Sequence, residues 1–121
     1  MVTQTPTGFI VLPNVAAVED VLFNSPSDQT IVFYFTEPIC PGCDTIHNRL
    51  CQWTTLFPTV KFYQIKTEIP GITTHQSTDI YYPLPCIKTF KDYPSFYNRI
   101  TKRNGVNTGL YESDINYALS L

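Results

Sequence analysis

From Thr30 to Phe35 the chain reads Thr-Ile-Val-Phe-Tyr-Phe, apolar and aromatic without alternation, the pattern of a strand covered on both faces. Such a strand must lie in the middle of a layered fold, with helices over both sides of its sheet. Cys40-Pro41-Gly42-Cys43 follows it closely. Asp44 to Phe57 then places Ile46, Leu50, Trp53, Leu56 and Phe57 at steps of mostly three and four residues before Pro58 closes the segment, which predicts an amphipathic helix. The order strand, cysteine pair, helix delivers Cys40 to a helix N-terminus, where unpaired backbone N–H groups and the helix dipole stabilise a thiolate.

The remaining segments supply the layers. Gly8 to Leu12 is a short apolar run stopped by Pro13; Asn14 is an N-cap for a helix over Val15 to Asn24, with Val15, Val18, Val21 and Leu22 on one face. Ser25-Pro26-Ser27-Asp28 is turn chemistry. Val60 to Ile65 is aromatic and β-branched enough for a third strand. Pro70 and Gly71 interrupt the next stretch, where a short helix is placed within Ile72 to Thr78. Cys86 to Lys91 alternates as a half-buried strand, and Phe96 to Thr101 is its antiparallel partner because the connection Asp92 to Ser95 is too short for a parallel crossover. Leu110, Ile115, Ala118 and Leu119 mark the face of a closing helix. The expected fold class is α/β: a mixed sheet of about five strands flanked by helices, in the order β-α-β-α-β-(α)-β-β-α, as a single domain over residues 1–121.

A chain of 121 residues with 43% hydrophobic and 14% aromatic residues can build a continuous core without disulfide staples. The net charge of −2 leaves no basic surface to neutralise a run of phosphates, so nucleic acid is not an expected partner. Phe9 to Leu12 is too short for a membrane span or a signal-peptide core. Neither membrane association nor export is expected, and a reducing cytoplasmic setting, with the chain a monomer, is the reading. In such a setting a CxxC is catalytic or metal-binding more often than structural.

Two anchors, taken with the element order, make the chain resemble the thioredoxin superfamily from about Phe9 to Leu119. One is Phe33-Tyr34-Phe35-Thr36-Glu37-Pro38-Ile39-Cys40-Pro41-Gly42-Cys43; the other is Leu84-Pro85 leading into Cys86 to Lys91, forty-five residues beyond Cys40. Leu84-Pro85 looks like the family's strand-opening cis-proline. The chain departs from the family at four places: Ile39 stands where Trp is usual before the first cysteine, Pro41-Gly42 reverses Gly-Pro, Tyr34 occupies the place of a buried Asp, and Asn48 that of a helix-kinking Pro. A Cys-Pro start is shared with glutaredoxins, which usually lack the first strand and helix and carry a glutathione-binding turn absent here.

The resemblance implies a thiol-disulfide oxidoreductase acting on protein disulfides, with Cys40 the nucleophile and Cys43, one turn deeper and more buried, resolving the mixed disulfide. Pro41 at the first helical position loses no hydrogen bond. Gly42 leaves room for a substrate backbone, and Ile39, Leu84 and Pro85 complete the substrate surface. No cofactor or metal is called for. The partners are protein disulfides or dithiols and a reductase or dithiol that recharges the pair. A metal-binding pair or an inert pair is the alternative for the cysteines, and a binding or scaffold module with a redox switch the alternative for the function. Tyr34 is read as a core aromatic whose hydroxyl bonds a neighbour rather than as a proton relay. With no Asp there, and Glu37 on an exposed loop, no ionised base serves Cys43, so slow resolution at neutral pH is expected. Cys51 and Cys86 are read as buried small hydrophobes, with regulation the alternative for Cys86. His47 is read as a solvated or partly covered helix residue, since with His75 and the cysteines it makes no close four-ligand zinc set.

Overall fold

The apolar run is the central strand. In the computed structural model, which describes residues 2–72, 84–92 and 101–121, every residue of β2 (Thr30–Thr36) is buried. Around it the order is β1 (Ile10–Val11), α1 (Val15–Asn24), β2, α2 (Pro41–Leu56), β3 (Lys61–Lys66), β4 (Cys86–Lys91), β5 (Thr101–Asn104) and α3 (Thr108–Leu119). The strands form one mixed sheet in the order β1-β3-β2-β4-β5. β1 and β2 run parallel to β3, whereas β4 runs antiparallel to both β2 and β5. This is the open mixed sheet with flanking helices that the sequence predicts.

Side-chain alternation along β2 gives the two faces different partners. Phe33 meets Phe35, Tyr63 and Phe90 on one face. Asp20 of α1 acts electrostatically on Tyr63, whose hydroxyl burial and this carboxylate hold above its usual pKa, so this is the α1 side. Tyr34 meets Phe9 edge-on; Phe9 stacks on Phe62, and Phe62 and Tyr111 both meet Trp53 of α2. This second face carries α2 and α3.

Several element edges differ from the sequence reading, each for a local reason. Asn14 caps α1 as expected, accepting from the Ala17 N–H. β1 is shorter than Gly8 to Leu12, because Gly8 turns at φ +83°, although the Leu12 N–H still donates to the Gln64 carbonyl. α2 begins at Pro41 rather than Asp44, with Cys40 itself as the N-cap. Leu56, assigned to the buried face of α2, is exposed. α3 buries Tyr111, Asp114, Ile115 and Ala118, while Leu110 and Leu119 are exposed. The charge at position 114 hides that stripe in the sequence, and the structure neutralises it with Arg103, 2.6 Å away on β5. β5 extends to Asn104, which pairs with Cys86. The expected strand over Phe96 to Thr101 lies, apart from Thr101, outside the described residues, as do the helix within Ile72 to Thr78 beyond Ile72, the connection Asp92 to Ser95 beyond Asp92, and His75.

Candidate active site

The first turn of α2 carries the cysteine pair because the sequence there meets three needs of a helix start. Pro41 takes a position whose N–H has no helical acceptor. Asp44 places a carboxylate in the positive first turn. The cap is made by a sulfur: the Cys43 N–H donates to Cys40 Sγ at 3.2 Å, and the Asp44 N–H donates to the Cys40 carbonyl at 3.1 Å. Cys40 and Cys43 are joined in a disulfide with their Cα atoms 5.2 Å apart. Both are enclosed, at 2% and 1% exposure, so the expected difference in burial between them is slight.

Leu84 and Pro85 stand directly against this turn, and the peptide bond between them is cis. A Cβ added to Gly42 would lie 2.7 Å from Pro85 Cδ, 3.3 Å from the Leu84 carbonyl oxygen and 3.4 Å from Val106 Cγ1. Gly42 is therefore needed for close approach of the proline ring, which fills the space that a Cβ would take. Ile39, at 71% exposure, and Val106, at 52%, give the surroundings an apolar, solvent-facing border. The structure thus gathers Cys40, Pro41, Gly42, Cys43, Leu84 and Pro85 into one cluster, with Ile39 on the chain entering it.

Two supports of this cluster carry no clear signal in the sequence. Tyr111, from α3, donates from its hydroxyl to the Gly105 carbonyl at 2.6 Å, with the Pro85 carbonyl at 3.5 Å, while the Gly105 N–H donates to the same Pro85 carbonyl at 3.1 Å. Burial pushes the Tyr111 phenol well above its usual pKa. Gly105, at φ +105°, lets the chain turn there. On the other flank, Thr3 ties the segment 2–9 to the loop before Cys40: its N–H donates to the Pro38 carbonyl at 2.8 Å and its hydroxyl to the Glu37 carbonyl at 2.7 Å. Glu37 itself is exposed, as expected.

The buried polar groups of β2 and β3, the floor against which α2 packs, are uncharged among the described residues. Gln64, fully buried and paired in register with Tyr34, donates to Thr36 Oγ1 at 3.0 Å and accepts from Thr5 Oγ1 at 2.6 Å. Tyr34 is also fully buried, but its hydroxyl has no hydrogen-bond partner among the described residues, against the expectation that it bonds a neighbour. Burial, and after it the charge of Asp44, push the Tyr34 phenol far above its usual pKa, so it stays protonated at neutral pH. The one buried carboxylate among the described residues, Asp114, is ion-paired with Arg103. Farther along α2, Glu112 of α3 accepts from Arg49 Nε at 2.6 Å and Nη2 at 2.9 Å, and from Trp53 Nε1 at 2.8 Å. The Arg49 guanidinium holds the Glu112 carboxyl below its usual range.

Of the other cysteines, Cys86 is buried as expected on β4. Cys51 is only half-buried, which corrects its reading as a core residue. His47 is also partly covered, as expected, and lies 3.4 Å from the Cys51 sulfur. Among the described residues no three of His, Cys, Asp and Glu gather to hold a metal ion, and no helix is long and apolar enough to cross a membrane.

No protein-family model and no curated protein matches the sequence. Solved structures do match the fold. Thioredoxin from Trypanosoma brucei brucei superimposes with a TM-score of 0.77 at 19% identity, over 100% of this chain and 98% of that one. Thioredoxin NaTrxh from Nicotiana alata gives 0.78 at 14% identity over 95% and 96%. Fasciola hepatica thioredoxin gives 0.76 at 18% over 91% and 99%. The sheet order, the helices and these superpositions agree: the chain has the thioredoxin fold, with a Cys-Pro-Gly-Cys disulfide at the start of its second helix.

Proposed function

We propose that the chain is a thiol-disulfide oxidoreductase acting on protein disulfides, as a single thioredoxin-like domain. The observation that carries this reading is the sulfur cap: Cys40 Sγ accepts the Cys43 N–H at the N-terminus of α2, where the helix dipole and unpaired N–H groups favour negative charge on sulfur. In the reduced protein the Cys40 thiolate attacks one sulfur of a substrate disulfide. A mixed disulfide forms and a substrate thiolate leaves. Cys43 then loses its proton and attacks Cys40 Sγ, which closes the disulfide seen in the structure and releases the second substrate thiol. A reductase or partner dithiol recharges the pair; the protein needs no bound cofactor for these exchanges. Leu84 and Pro85, with Ile39 and Pro41 on the border, form the surface on which the substrate segment lies. The cytoplasm, where thiols are kept reduced, suits this chemistry.

Trapping tests the order of attack. Reduced Cys43→Ser is mixed with a disulfide-bonded protein such as insulin, and a mixed disulfide on Cys40 is expected to accumulate, detectable by mass. Cys40→Ser is expected to leave insulin unreduced. Wild-type protein that reduces insulin no faster than Cys40→Ser would favour a binding module in which the pair serves at most as a redox switch.

A further inference from the structure

Val106 stands, half-exposed, beside the first turn of α2, its Cγ1 3.4 Å from where a Gly42 Cβ would lie. The hydrogen bonds of the residue before it set its position. Gly105 turns at φ +105°, and a Cβ placed on it would meet nothing within 4 Å, so no side-chain packing fixes that peptide. Both of its polar groups are bonded inward instead: the N–H donates to the Pro85 carbonyl at 3.1 Å, and the carbonyl accepts the Tyr111 hydroxyl at 2.6 Å. That carbonyl belongs to the peptide that carries the Val106 N–H, so the phenol sets the plane from which Val106 projects. On the other side of Val106, Asn107 is fixed as the N-cap of α3, its side chain accepting from the Leu110 N–H. Tyr111 is itself buried and meets Trp53 edge-on, which makes its hydroxyl a well-placed donor.

We propose that Tyr111 is a positioning residue for the exchange: through the Gly105 carbonyl it sets Val106 as an apolar wall that favours protein disulfides over small ones. The proposal rests on the dithiol reading of Cys40 and Cys43. A protein disulfide brings flanking side chains to the site, and an apolar one that covers Val106 gains from removing that surface from water. A small disulfide reaches the sulfur without making that contact. Loss of the Tyr111 hydroxyl leaves the Gly105 carbonyl without its donor, and glycine has no Cβ to keep the peptide from turning. Val106 is then no longer placed in advance, and a protein substrate must order it on binding. The sulfur chemistry is the same for both substrates, so the loss falls on the protein disulfide.

The test mixes the reduced chain, in single turnovers, with insulin or with hydroxyethyl disulfide, which has no chain to lay against Val106. Loss of free thiol is followed by alkylation and mass, and the readout is the ratio of the two second-order rate constants, because loss of folded or active protein lowers both alike. Tyr111→Phe is expected to lower the insulin-to-small-disulfide ratio by about fivefold, the equivalent of one hydrogen bond of about 1 kcal/mol. Val106→Ala, at an exposed position, is expected to lower it at least as much, and the double variant no further than Val106→Ala alone, because the phenol acts through Val106. Urea unfolding checks that each variant is folded. An unchanged ratio in either folded single variant, or effects that multiply in the double variant, would overturn this proposal alone. Wild-type protein that reacts with neither disulfide faster than Cys40→Ser would overturn the dithiol reading and this proposal with it.

Discussion

The turn that carries the cysteines and the floor beneath it are built to different standards. Around the turn the contacts are close and matched: Cys40 Sγ receives an N–H, Pro85 closes over Gly42, and Tyr111 and Thr3 fasten the chain on either flank. In the floor, Gln64 and Thr36 satisfy each other, but Tyr34 presents a buried hydroxyl to which no described group responds, and among the described residues no carboxylate is buried there. If the pair exchanges disulfides as proposed, the two halves of the reaction are supported by different parts of the molecule. Attack by Cys40 would draw on the helix start. Deprotonation of Cys43 would fall to the floor, whose buried groups are neutral among the described residues.

The comparison is most severely strained at Gly42. Gly42→Ala puts a Cβ within 2.7 Å of Pro85 Cδ, and overpacking of this kind costs about 1–3 kcal/mol; the urea midpoint and the rate of insulin reduction are both expected to fall. An unchanged rate would show that the Pro85 contact is not part of the working site.

Glu112 lies away from both regions and separates stability from chemistry. Glu112→Gln weakens the contacts to Arg49 and Trp53 and is expected to cost about 1–2 kcal/mol, as for charge-assisted hydrogen bonds. Because Arg49, first, and then Trp53 hold the Glu112 carboxyl below its usual range, the folded pKa is depressed. Its contribution is then fully present above the unfolded value of about 4.3 and is lost as pH falls through the folded one. Urea unfolding of both proteins from pH 3 to 8 should show a constant gap above about pH 5 that closes in acid.

Tyr111→Phe removes the donor to the Gly105 and Pro85 carbonyls, with an expected cost of about 1 kcal/mol and a slower insulin reduction, since Pro85 loses a support. Tyr34→Phe should do least. Removing a buried hydroxyl that has no partner among the described residues is expected to change stability by less than about 0.5 kcal/mol, or to raise it, because no hydrogen bond is broken. Should Tyr34→Phe destabilise more than Tyr111→Phe, the contrast between turn and floor would be reversed.

The fold is legible in the sequence wherever one periodicity dominates. The unbroken run of β2, the Asn14 cap and the apolar steps Ile46, Leu50 and Trp53 all appear in the structure as expected. It is obscured where a charge sits inside an apolar stripe, as Asp114 does in α3 until Arg103 is seen beside it. The cysteine pair and Leu84-Pro85 announce themselves by residue type and spacing, and the structure brings them together. Tyr111, Val106 and Thr3 do not, because their contribution is a contact between segments far apart in sequence. Cys51 is misjudged in part for the same reason: the Thr7 segment, far away in sequence, adds its N–H to the contact that His47 makes one turn earlier on the helix.

The contrast between attack and resolution is tested most directly by single-turnover mixing of reduced protein with a disulfide whose released thiols are chromophoric, followed from pH 6 to pH 8. Two phases are expected, the second being closure by Cys43. With no ionised base buried in the floor among the described residues, that phase should be the slower one and should accelerate by nearly tenfold per pH unit, as the thiolate fraction of an ordinary thiol does below about pH 8.5. A second phase as fast as the first, or one that does not change across this range, would contradict the account.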